Sequence, residues 1–295
     1  MTTNNPNKRK IEILQKEYNS LRKGKESLLN IIDEAEIPES VYNSNAIENS
    51  TLTLKETEKI LMEMEISRNV SLREVFEAKN LARVIDYIKK NLKNTEITEK
   101  IILFLHQMLI GGIDDNIAGR FRKKGEYVRV GSHVAPAPEH AEAMTKELLF
   151  EYSNNLTQYF IDKIAKFHLD FENIHPFCDG NGRIGRALLN YQLMRFGFPM
   201  IIVRNKEKKE YYKSFRDYRE NKNAKTLGKI IFLALAESLH KRITYLKGEK
   251  IVPLTNYAKQ HKKSVTATLN AARRQTILAF REKNIWKIGE KLKFN

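Results

Sequence analysis

The chain is poor in cysteine, glycine and proline, and each shortage narrows the field. A single cysteine, Cys178, among 295 residues excludes an intramolecular disulfide and a cysteine zinc cage. Thirteen glycines and seven prolines stand against abundant Leu, Ile, Lys and Glu, a balance that favours helices over an all-β or collagen-like chain. No apolar run approaches the ~20 residues of a membrane span. The opening MTTNNPNKRK holds no apolar signal-peptide core, so no membrane association and a cytoplasmic, reducing compartment are expected. Hydrophobic residues at 41% exclude wholesale disorder.

What the chain has in excess is positive charge. Fifty-two Lys and Arg against 36 Asp and Glu leave +16, which points to polyanion partners: nucleic acid, nucleotides or an anionic membrane surface. Half of it lies in residues 251–295, where ten Lys/Arg and two Glu give +8. That stretch reads as a short helix over 254–260, a helix opened by Ser264 over 265–276, and a hairpin turning at Lys283-Asn284. This is the outline of a winged helix–turn–helix, a candidate for duplex DNA, with Arg273 and Arg274 late in the second helix.

Upstream, the apolar spacing is helical. Residues 1–10 are polar and expected to fray. Helices are predicted over 11–32, ending before Pro38, and over 46–60, 66–92 and 97–109. A small hairpin is predicted around 127–134, a helix from Glu139, another ending near His175, and one over 182–196 stopped by Gly197. The charge run at 204–210 reads as a solvated face or loop, and more helix follows to about Lys247. The expectation is an all-α chain: an N-terminal helical region (1–96), a helical bundle with one small hairpin (97–247), and the basic module (251–295).

The chemistry concentrates in residues 175–186, HPFCDGNGRIGR. Gly180 and Gly182 let the backbone turn and approach a ligand closely. The new helix presents free N–H groups and its positive dipole end, an anion site. Arg183 and Arg186, three apart on the first turn, can reach one anion, and two guanidiniums suit a di- or triphosphate. Asp179 is the lone carboxylate, a partial ligand for Mg²⁺ that keeps most of its waters. His175, titrating near neutrality, can take a proton from a hydroxyl. Base, metal ligand, phosphate cradle and clamp together indicate phosphoryl or nucleotidyl transfer. Glu172/His175 and Glu237/His240 share the Glu-x-x-His spacing of di-iron bundles, but Pro176 and the glycine loop end the first helix where such a bundle needs it continuous.

The segment resembles the Fic-domain signature His-Pro-Phe-x-Asp/Glu-Gly-Asn-Gly-Arg-x-x-Arg at every fixed position. Gly119–Arg122 (GRFR) and the VRVGSHVAPAP hairpin resemble the family's flap region, and Tyr211-Tyr212 its adenine-side tyrosine pair. The resemblance implies the Fic fold and an adenylyltransferase that moves AMP from ATP to a Ser, Thr or Tyr hydroxyl of a protein, self-modification included, with Mg²⁺ or Mn²⁺. It implies His175 as general base and Asp179 as metal ligand. Gly180, Asn181, Gly182, Arg183, Ile184, Gly185 and Arg186 would line the nucleotide site, with Arg186 on the γ-phosphate, together with Tyr211 and Tyr212. Val130, Gly131, Ser132 and His133 would dock the target by strand addition. Residues 44–49, SNAIEN, resemble the family's inhibitory motif through Ser44, Glu48 and Asn49; a carboxylate there would pair with Arg186 and imitate the γ-phosphate's charge. AMP removal, or transfer of another phosphate-containing moiety, uses the same loop and stays open, as do the target and a homo-oligomeric state.

Overall fold

The structure, a computed structural model, describes residues 3–66, 70–91, 95–131 and 133–290. It is helical, as the composition demands. In chain order the helices are α1 (Asn5–Leu21), α2 (Glu26–Ile47), α3 (Leu54–Glu58), α4 (Leu72–Asn91), α5 (Glu99–Ile110), α6 (Ala141–Asn154), α7 (Phe160–Ile174), α8 (Asn181–Arg195), α9 (Lys208–Asn221), α10 (Lys225–Leu246), α11 (Leu254–Gln260) and α12 (Val265–Arg273). The strands are β1 (Arg129–Val130), β2 (His133–Val134), β3 (Lys250–Pro253), β4 (Ala279–Glu282) and β5 (Ile285–Glu290).

Helices α7 and α8 form the centre. One side of α7, through Ile161, Ile164 and Leu169, packs into an apolar cluster with α1, α9 and α10. Its other side, through Phe167, Phe171 and Ile174, packs into a second cluster with α4 and α5. Helix α8 adds Leu189 and Leu193 to the first cluster and Ile184, Leu188 and Tyr191 to the second. A helix buried all round is a core helix, so the loop joining α7 to α8 is fixed from both ends.

The expected hairpin is present. β1 and β2 are antiparallel, with Val130 opposite His133; Ser132 lies outside the described residues. The C-terminal elements follow the predicted order around their own small core of Leu254, Ala272, Ala279 and Ile288. Lys283 and Asn284 turn the hairpin at φ 49° and 65°. β3 adds an unforeseen strand, giving a sheet ordered β3-β5-β4.

Several boundaries differ from expectation, each for a local reason. Residues 5–10 are helical, not frayed: the Asn4 side chain caps the Asn7 N–H and Pro6 starts the helix. The predicted 11–32 helix is two helices parted at Gly24, φ +71°. Pro38 does not break α2 but sits inside it. It removes one N–H, while buried Glu39, Val41 and Asn43 anchor the following turns. The expected 46–60 helix is interrupted, because Asn49 is left-handed (φ 70°) and Thr53 and Glu56 form a capping box that starts α3 afresh. Of the predicted 66–92 helix, α4 covers Leu72–Asn91, Val70 and Ser71 lie before it, and 67–69 and 92 lie outside the described residues. The run 204–210 is solvated at Lys206, Lys209 and Glu210, but Arg204 departs from the expectation, being buried and paired with Glu39 and Glu237.

Candidate active site

The loop from α7 to α8 opens with a backbone device. His175 ends α7 in the left-handed region, φ 51° and ψ 62°. Its N–H still bonds the Phe171 carbonyl, at 2.9 Å. Arg122, almost fully buried, staples the entry by donating to the carbonyls of Ile174 (3.3 Å), His175 (2.8 Å) and Pro136 (2.9 Å). The GRFR segment thus ties the hairpin strap to the loop. Asn181 closes the turn: its amide accepts from the Phe177 N–H (2.9 Å) and donates to the Phe177 carbonyl (2.8 Å). His106 supports it from below, with Nδ1 accepting from the Gly119 N–H at 3.0 Å. Its Nε2–H therefore faces the Asp179 carbonyl, also at 3.0 Å.

The pocket so built encloses about 120 Å³ and is lined by Glu48, Val130, Glu172, His175, Gly182, Arg183, Arg186 and Tyr211, among others. Most of the residues expected from the sequence meet here: His175, Asp179, Gly180, Asn181, Gly182, Arg183, Arg186, Tyr211, Tyr212, Val130 and Glu48 all line it. Ile184 and Gly185 do not. Ile184 is core, and Gly185 faces away, where an added Cβ would lie 2.7 Å from Glu172 Oε1 and 3.0 Å from His168 Cε1. His133 bonds the Asn173 carbonyl at 3.2 Å through Nε2, and Gly131 turns the hairpin at φ +60°.

Burial lowers the His175 pKa to about 4, so its ring is neutral at physiological pH. Nδ1 lies 3.2 Å from the Glu172 carbonyl, which can only accept; Nδ1 therefore carries the proton and Nε2 keeps its lone pair. Burial opposes ionisation of Asp179, but Arg183, the Gly180 N–H and Arg73 outweigh it and hold the carboxyl below its ordinary range. Its partners are Arg73 (2.5 Å) and Arg183 (3.0 Å).

The end of α2 takes two of the three nitrogens of Arg186, and the third, Nη1, lies 3.4 Å from the Tyr211 hydroxyl. Nε donates to Ser44 Oγ and Nη2 to the Ser44 carbonyl, both at 2.9 Å, and Nη2 lies 2.8 Å from Glu48 Oε1. Only a glycine at 182 permits this: an added Cβ would lie 2.1 Å from Glu48 Oε1. The turn carrying Glu48 is pinned by Lys208 Nζ on Asn49 Oδ1 (2.7 Å) and by the Tyr212 hydroxyl on the Ile47 carbonyl (3.2 Å).

Sequence reasoning missed Glu172 as a pocket residue, and missed Arg73 and Glu77. Burial, then the charge of Glu48, raises Glu172 to about 8. Glu77 bridges Arg73 and Arg183, at 3.1 Å from each. No spacing signal joins 73–77 to 179–183; only the packing of α4 does. Among the described residues no cluster of three or more His, Cys, Asp or Glu side chains is placed to hold a metal. One ionised carboxylate beside two arginines nevertheless fits an octahedral ion that is held mainly by phosphate oxygens and water. Nor is any described helix long and apolar enough to cross a membrane.

Residues 96–193 match the Fic/DOC family. A protein adenylyltransferase Fic from Drosophila willistoni is 36% identical over 177 residues, which cover 58% of this chain and 35% of that protein. The chain thus spans about a third of the length of the curated relatives it matches. A Fic domain containing signaling protein from Bacteroides thetaiotaomicron superposes with a TM-score of 0.73 at 28% identity, over 82% of this chain and 98% of that one. A segment of Fic-1 from C. elegans gives a TM-score of 0.66 at 27% identity, over 79% of this chain and 71% of that one. The signature loop and the helical frame that holds it lie where these likenesses fall: residues 96–193 match the Fic/DOC family.

Proposed function

We propose that the protein is an adenylyltransferase that moves AMP from ATP to a hydroxyl of a protein target, and that Glu48 holds it inactive. The observation that carries the reading is the pocket itself: a neutral His175 with Nε2 free, beside an ionised Asp179 and two arginines on the first two turns of α8. His175 Nε2 takes the proton of the attacking hydroxyl as its oxygen bonds the α-phosphorus. The bond from that phosphorus to the bridging oxygen breaks, and pyrophosphate leaves with the electron pair. Arg183 and the first N–H groups of α8 bear the phosphate charge. Asp179 would hold Mg²⁺, which when bound neutralises the departing pyrophosphate.

The inhibited state is supported by what occupies Arg186. Ser44 and Glu48 take its Nε and Nη2 donors, and the cavity left, about 120 Å³, falls short of the ~300 Å³ typical of small-molecule sites. A charge-assisted pair of about 1.5–3 kcal/mol suffices for tenfold suppression or more. Incubation with labelled ATP and lysate, wild type beside Glu48→Gly, tests this. Glu48→Gly should label targets and itself at least tenfold faster, with a mass shift of one AMP. Equal labelling refutes the inhibition. A different mass shift, or net removal of AMP, moves the protein to another reaction on the same loop.

A second reading, binding of duplex DNA, is supported by the exposed Thr266, Asn270 and Arg273 of α12 and Arg274 just beyond it. Affinity of the whole chain for duplex DNA that falls steeply with salt would bear it out; no binding at low salt would remove it.

A further inference from the structure

The C-terminal hairpin does not project into solvent; it grips α2. The backbone N–H groups of Lys283 and Asn284, at the hairpin's turn, donate to Glu39 Oε2 (3.1 Å) and Oε1 (3.3 Å). Glu39 is also paired with Arg204, and Arg204 Nη2 lies 3.0 Å from Glu237 Oε1 on α10. Glu237 is in turn held by Arg281 on β4, at 2.6 Å through Nη2. The contacts close a ring from β4 through α10 and Arg204 to α2 and back to the hairpin turn. Glu207 also takes Arg281, at 2.9 Å, so three carboxylates surround the two guanidiniums. Glu39, Arg204 and Glu237 are 5%, 4% and 6% exposed and Arg281 is half-buried, so most of the ring is shielded from water and its geometry constrained.

Glu39 stands nine residues before Glu48 (48 − 39), on the helix that delivers Ser44 and Glu48 to Arg186. Nine residues of helix are a rod of about 14 Å. A shift of α2 at Glu39 is therefore carried to Glu48, whose hold on Arg186 depends on a 2.8 Å contact over Gly182.

We propose that the C-terminal module is the clasp of the inhibitory helix, and that Glu39 is the positioning residue through which the hairpin turn keeps Glu48 on Arg186. The inference deepens the reading above and rests on it. Freeing the turn from Glu39 lets α2 withdraw and activates the enzyme without altering any group in the pocket.

The test uses the whole chain. Glu39→Gln removes the charge that Arg204 and the turn share. A second variant with two glycines inserted between Lys283 and Asn284 displaces the turn's N–H groups while leaving the buried ring's side chains in place, since exposed turn tips tolerate insertion. Each is made with Glu48 and with Glu48→Gly, and self-labelling from ATP is measured. Trp286, the only tryptophan, lies on β5 with Arg281 stacked 4.7 Å from its ring, so acrylamide quenching of its emission reads the hairpin directly. Both variants should raise labelling about tenfold with Glu48 present, less than twofold with Glu48→Gly, and make Trp286 more quenchable. Equal increases on both backgrounds overturn the clasp, as does no increase from variants that still melt cooperatively. If Glu39→Gln does not fold, the insertion variant decides alone. Failure of the underlying reading shows separately, as a Glu48→Gly protein no more active than wild type, and the clasp falls with it.

Discussion

A histidine whose ordinary pKa is near 6.5 is held here at about 4 by burial, and that changes what a pH profile shows. The base form of His175 is complete at pH 7 and is lost only as pH falls through about 4. On the Glu48→Gly form, kcat/KM should therefore show no acid limb near 6.5, and His175→Ala should lower it about 10²–10⁴-fold. A limb at 6.5 that disappears with His175 would refute the buried-neutral assignment. Glu172 titrates in the opposite sense, raised from 4.5 to about 8. Between those values the folded state holds a proton that the unfolded state has lost. Its contribution to stability is complete below pH 4.5 and is lost as pH rises through 8. Glu172→Gln should therefore melt higher than wild type at pH 8.5, with the gap closing toward pH 4.5; a constant difference across pH would contradict it. Among the described residues Glu172 Oε1 has no hydrogen-bond partner, so no hydrogen bond there offsets the burial and the charge of Glu48 that raise it.

At the scale of elements, the α7–α8 pair decides where the pocket lies. Gly185 lets the two helices meet, since a Cβ there would press on Glu172 and His168. Gly185→Ala should cost about 1–3 kcal/mol in urea unfolding, the usual cost of overpacking, and an unchanged midpoint would show that the contact yields. The pair was legible in the sequence because two signals agreed: apolar i, i+3, i+4 spacing up to His175, then a glycine turn. Helix α2 was not, because Pro38 carries a strong local stop signal that the buried Glu39–Arg204 and Asn43–Asn205 contacts override. Those contacts join residues about 160 apart, and no window of sequence contains both. The same gap hid Arg73 and Glu77, whereas Ser44 and Glu48 could be found because a motif, not a spacing, marked them.

Across the molecule, ion pairs to the buried Lys241 and Arg242 fasten α2 to α10. Arg242, 1% exposed, holds Asp33 (2.5 Å) and Glu36 (2.7 Å), and Lys241 holds Glu36 (3.0 Å). Removing one partner strands the other, so Arg242→Met should cost about 3 kcal/mol and lower Tm by roughly 6–12 °C. A Tm within 2 °C of wild type would show that Lys241 and solvent suffice. Such long-range fastening also orders events in time. Glu48 precedes His175 by 127 residues (175 − 48), which a ribosome adding about 5–20 residues per second takes some 6–25 s to traverse. Helix α2 is thus synthesised before the loop it covers. The nascent protein therefore passes through no stage in which the loop is complete and Glu48 is still unmade.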